Sequence, residues 1–184
     1  MPELSWPRVA GPLTLHPPTA RDVEQVLTWR NDPVVTRWLL LTRVDPEAYT
    51  RNWLDDDPDS IDVVACVGGR VVGSGSLNIT DAMGQMHAGE SIWRRAQGSF
   101  GYTIDPTQAG RGYGTHFARA LLSIAFDDLG LHRVTGACFA ANASSWRVME
   151  RLGMRREQHG VKDSWHAELG WVDGYTYGIL REEW

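Results

Sequence analysis

A glycine-rich segment between a predicted strand and a predicted helix is the part of the chain best suited to bind an anion. It alternates glycine with larger residues: Gly110, Arg111, Gly112, Tyr113, Gly114 and Thr115. Glycine lets the backbone approach a ligand closely and adopt conformations that side chains disfavour. The amides at the start of a helix, together with the helix dipole, attract negative charge. The pattern indicates either a cradle for a pyrophosphate group or a purely structural strand-to-helix turn.

Two better-known phosphate-binding motifs do not fit this segment. A Walker A loop requires Lys followed by Ser or Thr after its last glycine, whereas Gly114 is followed by Thr115 and His116. A dinucleotide-binding fingerprint follows the first strand of its fold and has an acidic residue about 20 residues later, at a strand end. This segment follows a later predicted strand and fits that fingerprint poorly. A nucleotide-phosphate binder, which would be a different class of protein, is therefore disfavoured.

A second group of polar residues follows the next predicted strand. Asn142 stands at its end, Ser145 comes three residues later, and a helix then runs into Glu-Arg-Leu-Gly-Met at positions 150–154. A serine near the start of a helix either satisfies a backbone amide or faces a ligand. The spacing alone leaves both roles open for Ser145.

Hydrophobic periodicity and turn residues predict an α/β fold that would position these two groups. Predicted strands cover residues 11–16, 61–67, 70–79, 98–104 and 131–139, and two more lie in the tail 154–184, with turns at Gly160, Asp163 and Gly174. Predicted helices cover residues 20–29, 34–40, 46–54, 112–128 and 144–152. Residues 80–97 form an irregular excursion with a short strand near Ser91, and such loops are often functional. With no repeat or linker, the pattern predicts one α/β domain with a mixed sheet over residues 1–184.

Composition excludes several classes of protein. The chain has 184 residues, of which 42% are hydrophobic and 22% charged, as is ordinary for a globular domain and unlike a disordered chain. At this length a domain buries roughly 70% of its unfolded surface without a metal or a disulfide. The net charge of −5 argues against nucleic-acid binding. No apolar run is long enough for a signal peptide or a membrane span, so we expect a cytoplasmic protein.

The two cysteines predict neither a disulfide nor a metal site. Cys66 and Cys138 both lie in apolar, strand-like segments, where a free thiol behaves as a small buried hydrophobic group. Nothing in the chain suggests secretion, which favours unpaired thiols. No group of His and Cys residues has the spacing of metal ligands, so no metal is predicted.

The order of these motifs along the chain resembles the GNAT superfamily of acyl-CoA-dependent N-acyltransferases. The matching order is a strand, the loop Ala109–Gly114, a helix, a strand, Asn-Ala-Ser-Ser from Asn142, and the closing Glu-Arg-Leu-Gly-Met. The tail from Trp171 to Trp184, and Trp-Arg-Asn-Asp-Pro from Trp29, resemble its RimJ/RimL branch, which includes ribosomal-protein N-terminal acetyltransferases. The resemblance spans nearly the whole chain. It implies a single GNAT-like domain with a central twisted mixed β-sheet flanked by helices.

The resemblance also implies which residues would bind acetyl-CoA, or another acyl-CoA, as co-substrate, with no metal. The implied contacts are the backbone at Thr103 and Ile104 for the pantetheine arm, the loop residues Ala109, Gly110, Arg111, Gly112, Tyr113, Gly114 and Thr115 for the pyrophosphate, and Asn142 for the pantetheine arm. One backbone amide of the strand would polarise the thioester carbonyl, as in an oxyanion hole. Ser145 would lie near the sulfur and donate a proton to the leaving thiolate.

Two positions depart from the usual family pattern. The family loop begins with Gln or Arg where this chain has Ala109, a change that binding by backbone amides tolerates. Many relatives carry a glutamate base where this chain has Ser99, and serine is no general base at neutral pH. The other candidates for a base are His87 and Glu90 in the irregular excursion, and His166 and Glu168 near the end. Asp173 is expected either to orient the acceptor or to cap a turn.

We expect the chain to transfer an acetyl group from acetyl-CoA directly to a primary amine, either a protein N-terminus or a small molecule. An alternative is a non-catalytic acyl-CoA-binding protein that kept the fold and lost the base. A succinyl group is open as well, because an arginine such as Arg94 or Arg95 could pair with its carboxylate. The expected partners are the acyl-CoA and the amine, without nucleic acid or membrane, and the sequence leaves a homodimer open.

Overall fold

In the part of the chain that the computed structural model describes, residues 4–85 and 91–184, eight strands form one mixed sheet flanked by helices. The strands are β1 (Arg8–Ala10), β2 (Leu13–His16), β3 (Ser60–Val67), β4 (Arg70–Thr80), β5 (Gln97–Ile104), β6 (Arg133–Phe139), β7 (Arg155–His166) and β8 (Gly170–Leu180). The helices are α1 (Ala20–Arg30), α2 (Pro33–Thr36), α3 (Pro46–Leu54), α4 (Tyr113–Ser123) and α5 (Ala143–Arg151). The spatial order β1-β2-β3-β4-β5-β6-β8-β7 confirms the predicted α/β class and mixed sheet.

A parallel pairing joins β5 to β6. It places Gln97 opposite Arg133 and Ser99 opposite Thr135. The pairs β1 with β2, β2 with β3, β6 with β8, and β7 with β8 are antiparallel. β5 runs on to Ile104, five residues beyond Ser99, so its parallel ladder is short compared with the strand.

The chain divides into two compact units. The first, called the loop unit, comprises Pro2–Leu77 and Gly101–Leu121, and the second, called the hairpin unit, comprises Asn78–Phe100 and Leu122–Trp184. The glycine-rich loop therefore belongs to the loop unit, whereas Asn142 and Ser145 belong to the hairpin unit.

Helix α1 packs on strands β3 and β4 in the loop unit. Thr19 and Asp22 form a capping box at its start, in which the Thr19 amide donates to the Asp22 carboxylate at 2.9 Å and the Thr19 side chain accepts the Asp22 amide. The buried face of the helix carries Val26 and Trp29. These two residues form a core cluster with strand residues Val64, Cys66 and Val71. The structure confirms the predicted start of this helix.

A long hairpin of β7 and β8 dominates the hairpin unit. β8 pairs with β6 from Arg133↔Leu180 to Phe139↔Gly174, and its other edge pairs with β7. The register of β7 shifts twice, between Arg156 and Gln158 and between Gly160 and Ser164. Within the second shift Lys162 has a φ of 53°, a left-handed conformation. β7 is therefore a bulged strand rather than a flat one, as is common near the margins of sheets.

The turns predicted in the tail at Gly160, Asp163 and Gly174 are wrong, because all three residues lie inside these two strands. The carboxylate of Asp163 lies beside both Gly160 and Gly174. A Cβ built on Gly174 would lie 2.7 Å from this carboxylate, and one built on Gly160 would clash with it. Glycine is needed at these positions to admit that side chain into the bulge. The chain reverses at residues 167–169 instead, and Gly170 follows with a φ of 71°.

Four other boundaries differ from the prediction. β1 was not predicted, and α2 ends at Thr36 rather than Leu40. Residues 91–96, all of which the structure describes, form turns and contain no strand. α4 ends at Ser123 and continues as a π-helical turn to Asp128. No helix in the described ranges combines the length and the apolar character that crossing a membrane requires.

Asp62 on β3 makes the stability of the loop unit depend on pH. Partial burial, and secondarily the charge of Asp57, raise the pKa of this carboxyl from 3.8 to about 6. A carboxyl whose pKa is raised in the fold destabilises the fold when it is ionised. The free energy of unfolding therefore rises as the pH falls through 6 and Asp62 takes up a proton. The rise is complete below pH 3.8, the pKa of this carboxyl in the unfolded chain.

We therefore expect Asp62→Asn to raise the free energy of unfolding at pH 7 by about 1 kcal/mol, a value that allows for the solvent that still reaches the carboxyl. In urea-induced unfolding, the variant should have the higher midpoint concentration. At pH 4 the two proteins should differ little. Asp56→Asn, in the exposed loop nearby, controls for the general change of charge. An equal gain for Asp62→Asn at both pH values would contradict the titration and assign the effect to packing.

Candidate active site

A buried aspartate fixes the chain where β5 ends and the glycine-rich loop begins. The side chain of Asp105 accepts hydrogen bonds from the amide and the hydroxyl of Thr107, at 2.8 and 2.7 Å, and from Arg70 at 2.9 Å. Its backbone amide donates to the carbonyl of Val72 at 2.9 Å. Because Asp105 is only 1% exposed, these bonds replace the water that its charge would otherwise need. They tie the start of the loop to strand β4.

The glycine-rich loop is open on the side where a ligand would lie. Gly110 and Gly112 have φ values of 78° and 79°, which only glycine adopts readily. A Cβ built on either residue would meet no atom within 4 Å. Their conformation therefore requires glycine, while the space beside them is empty within the structure. The backbone of the loop is therefore accessible to a ligand, as is that of the β3–β4 turn at Gly69.

The first turn of α4 presents backbone amides toward this loop. The first amides of a helix have no partner within the helix itself. Those of Thr115 and His116 donate to the carbonyl of Gly112, at 3.1 and 3.3 Å. The amides of Tyr113 and Gly114 come earlier in the helix and, with the positive end of its dipole, suit a phosphate oxygen.

Packing under α4 holds this turn in place. Phe117 is fully buried, and its ring lies 6.0 Å from the ring of Tyr102. A Cβ on Gly114 would meet the Tyr102 ring at 3.1 Å, and a Cβ on Gly73 would meet Ile104 at 2.8 Å. Close contacts of this kind leave little freedom at the interface between α4 and β5. The loop is therefore supported from below by a rigid aromatic layer.

Strand β5 is partly exposed at the residues predicted to contact the pantetheine arm. The hydroxyl of Thr103 lies 3.1 Å from the hydroxyl of Ser74, which fixes its side chain. Gly101 is exposed, and a Cβ there would meet no atom within 4 Å. Contacts of Thr103 and Ile104 with pantetheine, and an oxyanion role for an amide of this strand, stay predictions.

In the hairpin unit, Asn142 rather than Ser145 caps helix α5. The side-chain oxygen of Asn142 accepts the hydroxyl of Ser144 at 2.7 Å and the amide of Ser145 at 3.4 Å. The alternative in which Ser145 satisfies a backbone amide is therefore not what the fold shows. Capping gives Asn142 a structural role, and its predicted contact with the co-substrate stays a prediction.

The hydroxyl of Ser145 instead faces the thiol of Cys138 on β6. Burial raises the pKa of this thiol, and hydrogen bonds to Ser145 and to the backbone of Trp146 partly counteract the rise. Cys138 is a free, partly buried cysteine, as predicted, and so is the more deeply buried Cys66.

The candidates for a general base fare differently. His87 and Glu90 lie outside the described residues. His166 is 3% exposed, and its Nδ1 accepts the amides of Glu168 and Leu169 at 3.1 and 3.3 Å, which closes the β7–β8 turn. Its buried ring therefore has a structural role in this turn, and a role as base stays a prediction for His166 as for Glu168. Ser99 is exposed on β5.

The structure pairs Asp173 with a histidine that sequence reasoning did not single out. Nε2 of His159 lies 2.7 Å from Oδ2 of Asp173, and Oδ1 of Asp173 accepts the amide of Lys162 at 3.0 Å. The first of these bonds is the main cause that lowers the pKa of the Asp173 carboxyl. His159 and Asp173 stand fourteen positions apart on two paired strands. Only the register of the hairpin, which the sequence does not reveal, brings them together.

One group of described residues in the loop unit has the distances of a metal site. The ligand atoms of His16, Asp22 and Cys66 lie within 4.8 Å of one another. The Asp22 carboxylate already holds the cap of α1, and Cys66 lies 3.5 Å from Nε2 of His16. Burial, and then the charge of Asp22, raise the pKa of the Cys66 thiol to about 11, which opposes formation of the thiolate that a metal needs. These residues fit a hydrogen-bonded cluster better than a metal site.

Comparisons with known proteins agree with this fold and loop. Residues 12–155 match the family described as Acetyltransferase (GNAT) domain. The uncharacterized N-acetyltransferase YnaD of Bacillus subtilis is 38% identical over 84 residues, which cover 46% of this chain and 49% of YnaD. The FsC-acetyl coenzyme A-N(2)-transacetylase of Aspergillus fumigatus is 30% identical over 93 residues, 50% of this chain and 40% of that protein. The chain thus spans about half the length, or less, of these curated relatives.

Solved structures extend the similarity over almost the whole chain. The structure of a GNAT-family acetyltransferase from Bacillus anthracis is 28% identical, with a TM-score of 0.76, and the match covers 95% of this chain and 98% of that one. The match to the family also includes the glycine-rich loop, Asn142 and Ser145. This chain belongs to the GNAT acetyltransferase family.

Proposed function

We propose that the chain is an acyl-CoA-dependent N-acetyltransferase that acts on a primary amine. The observation that carries the proposal is the open loop at the N-terminus of α4. There, Gly110 and Gly112 hold left-handed conformations beside empty space. Such a loop offers amides and a helix dipole to a pyrophosphate with no side chain in the way. Membership of the GNAT family supports a CoA thioester as the source of that pyrophosphate.

Each predicted contact has a role in this proposal. The loop residues Ala109–Thr115 bind the pyrophosphate, and the exposed Arg111 adds positive charge. The backbone at Thr103 and Ile104 binds the pantetheine arm, which the open space beside Gly101 on the same strand supports. Asn142 contacts the pantetheine arm from the start of α5. Acetyl-CoA supplies the acetyl thioester, and direct attack by the amine requires no metal.

The acceptor is a primary amine of a protein N-terminus or of a small molecule. The Trp-Arg-Asn-Asp-Pro motif from Trp29 and the tail from Trp171 support placement in the RimJ/RimL branch. The name of the Aspergillus relative specifies acetyl-CoA as the donor and a nitrogen as the acceptor, which supports the same chemistry here. An α-amine with pKa near 8 is partly unprotonated at pH 7, so it reacts more easily than a lysine amine.

A second candidate function is acyl-CoA binding without catalysis. The observation that favours it is the exposed Ser99 at the position where many relatives carry a glutamate base. Both functions require CoA to bind, but only the enzyme releases CoA thiol when an amine is added.

Two measurements test the proposal. Titration calorimetry should show that CoA binds and that ATP, which also carries phosphates, does not compete at similar concentration. Release of free thiol from acetyl-CoA should then be followed with glycinamide and spermidine as acceptors, and the rate without protein should be subtracted. CoA binding without thiol release with any amine would favour the non-catalytic function, and no CoA binding would overturn both.

Ser145 is expected to donate a proton to the leaving thiolate. Ser145→Ala should lower kcat by roughly 10-fold to 100-fold, the low end of general acid catalysis, because a thiol with pKa near 8.5 is already a fair leaving group. CoA affinity should change little. Ser144→Ala, which removes the neighbouring hydroxyl that bonds to Asn142, is the matched control. Full kcat together with a lowered melting temperature in Ser145→Ala would show that its contact with Cys138 is only structural.

A further inference from the structure

We propose that His159 is the general base that accepts the proton of the acceptor amine, and that Asp173 is the residue that positions it. This inference rests on the proposed function. It supplies a base in the described part of the chain, where Ser99 replaces the usual glutamate and His166 is buried in a turn.

The register of the hairpin unit places His159 on the same face of the sheet as the Ser145 hydroxyl. Cys138 pairs with Tyr175 across β6 and β8, and Tyr175 pairs with His159 across β8 and β7. Residues directly opposite one another in an antiparallel pair point to the same face. Cys138 contacts Ser145 of α5, so the shared face is the one that α5 covers.

The distances along this row suit an acceptor between the two groups. Two strand spacings separate Cys138 from His159, about 10 Å between their α-carbons. His159 lies on this face, and Ser145 approaches it from α5. A substrate nitrogen and a thioester, with at most one bridging water, fit between a proton donor and a proton acceptor at such a separation. The ring of Tyr175 lies in the same row, 5.0 Å from the ring of His159, and the guanidinium of Arg156 lies over it.

The contact with Asp173 prepares one nitrogen of His159 for proton transfer. With Nε2 directed at the carboxylate at 2.7 Å, the neutral imidazole carries its proton there, and Nδ1 presents the lone pair. The side chains of His159 and Asp173 are 46% and 30% exposed, so an acceptor can reach the ring. Asp173 is in turn held by the amide of Lys162 at 3.0 Å. A base oriented by a carboxylate that is itself fixed is the usual arrangement of an activating pair.

The other charged groups near His159 and Asp173 are engaged elsewhere and do not act as the base. Arg156 lies over the Tyr175 ring at 4.6 Å, and Lys162 contributes its backbone amide to Asp173. The Asp163 carboxylate accepts the hydroxyl of Ser164 inside the bulge. Among these neighbours, His159 is the one imidazole, with one ring nitrogen on a carboxylate and the other left for a substrate.

The acceptor nitrogen forms a bond to the carbonyl carbon of the thioester, and the proton that it loses goes to Nδ1 of His159. The carbon–sulfur bond then breaks and its electron pair leaves with the sulfur. The thiolate takes a proton from Ser145 while Ser145 takes one from water, and His159 returns its proton to solvent. Acetyl-CoA and amine are consumed, and acetylated amine and CoA thiol are formed.

The test compares the original protein with His159→Gln, Asp173→Asn and His132→Gln. His132 is an exposed histidine beside the opposite end of β6, and its replacement is the matched control. With acetyl-CoA and whichever of glycinamide and spermidine reacts faster, His159→Gln should lower kcat/KM by roughly 100-fold, and His132→Gln should leave it unchanged. Asp173→Asn should lower kcat with little change in KM. The asparagine side chain still accepts the hydrogen bond from the Lys162 backbone amide, but it no longer favours the reactive tautomer of His159. CoA affinity should stay within twofold in all three.

A rescue experiment separates a base from a structural residue. In His159→Ala, added imidazole should restore at least a tenth of the lost activity, whereas it should have no effect on Ser145→Ala. Circular dichroism and unchanged CoA affinity verify that each variant is folded. Full activity in His159→Gln would overturn the assignment of the base. So would a loss of activity in His159→Ala that imidazole does not restore, and either outcome would leave the proposed function intact. Failure of the original protein to bind CoA or to release thiol would overturn both.

Discussion

Replacing Gly112 with glutamate should weaken CoA binding by on the order of 10²–10³-fold. Gly112 has a φ of 79°, a conformation that a residue with a Cβ adopts only under strain, and the space beside it is open. In Gly112→Glu a carboxylate would enter the position proposed for the pyrophosphate. Loss of two hydrogen bonds to a charged group costs about 3–4 kcal/mol, which corresponds to this range, and repulsion between like charges adds to it.

Calorimetry on the folded variant measures this effect. Gly69→Glu is a matched control, because Gly69 has the same φ of 79° and the same open surroundings but lies in the turn between β3 and β4. Both variants carry the same backbone strain, so only the difference between them reports on the ligand. Equal CoA affinity in the two variants would remove the loop from the proposed site.

Replacing Phe117 with alanine should destabilise the protein by about 3–5 kcal/mol, the usual cost of deleting a buried aromatic ring. Phe117 is fully buried and packs against the ring of Tyr102. It lies one turn after the amides of Tyr113 and Gly114, so the cavity would also loosen the start of α4. We therefore expect CoA binding to weaken together with stability.

Urea-induced unfolding, followed by fluorescence, measures the first effect, and calorimetry measures the second. Phe117→Leu keeps an apolar side chain at the same position and should cost clearly less, about 1–2 kcal/mol. A loss below about 1 kcal/mol in Phe117→Ala would show that the layer under α4 can collapse, and would contradict the rigid support described above.

The helix starts and the loop that are set by residues close together in the sequence could be predicted. Thr19 and Asp22 predict the start of α1, and Asp45 followed by Pro46 predicts that of α3, because a cap depends on residues three or four positions apart. The glycine-rich loop was found for the same reason, since its conformations are encoded in Gly110 and Gly112. Local chemistry therefore sufficed for these parts of the fold and of the site.

Elements that depend on distant partners could not be predicted. β1 is three residues long and exists through its pairing with β2. α2 is shorter than its pattern indicates, because the chain after Thr36 turns to bring the carbonyl of Leu41 to Arg30, at 3.0 Å. The contact of His159 with Asp173 likewise depends on a register that is set by the bulge around Lys162.

The chain contains a single lysine, and the bulge of β7 presents it at the surface. Lys162 is exposed, three residues from His159, and its backbone is fixed by Asp173. Amine-reactive dyes, crosslinkers and sensor surfaces would therefore attach at this one side chain or at an α-amine, and coupling at the side chain would cover the His159–Asp173 pair. An α-amine has a pKa near 8 and a lysine amine one near 10.4, so coupling close to pH 7 favours the α-amine and keeps this face accessible.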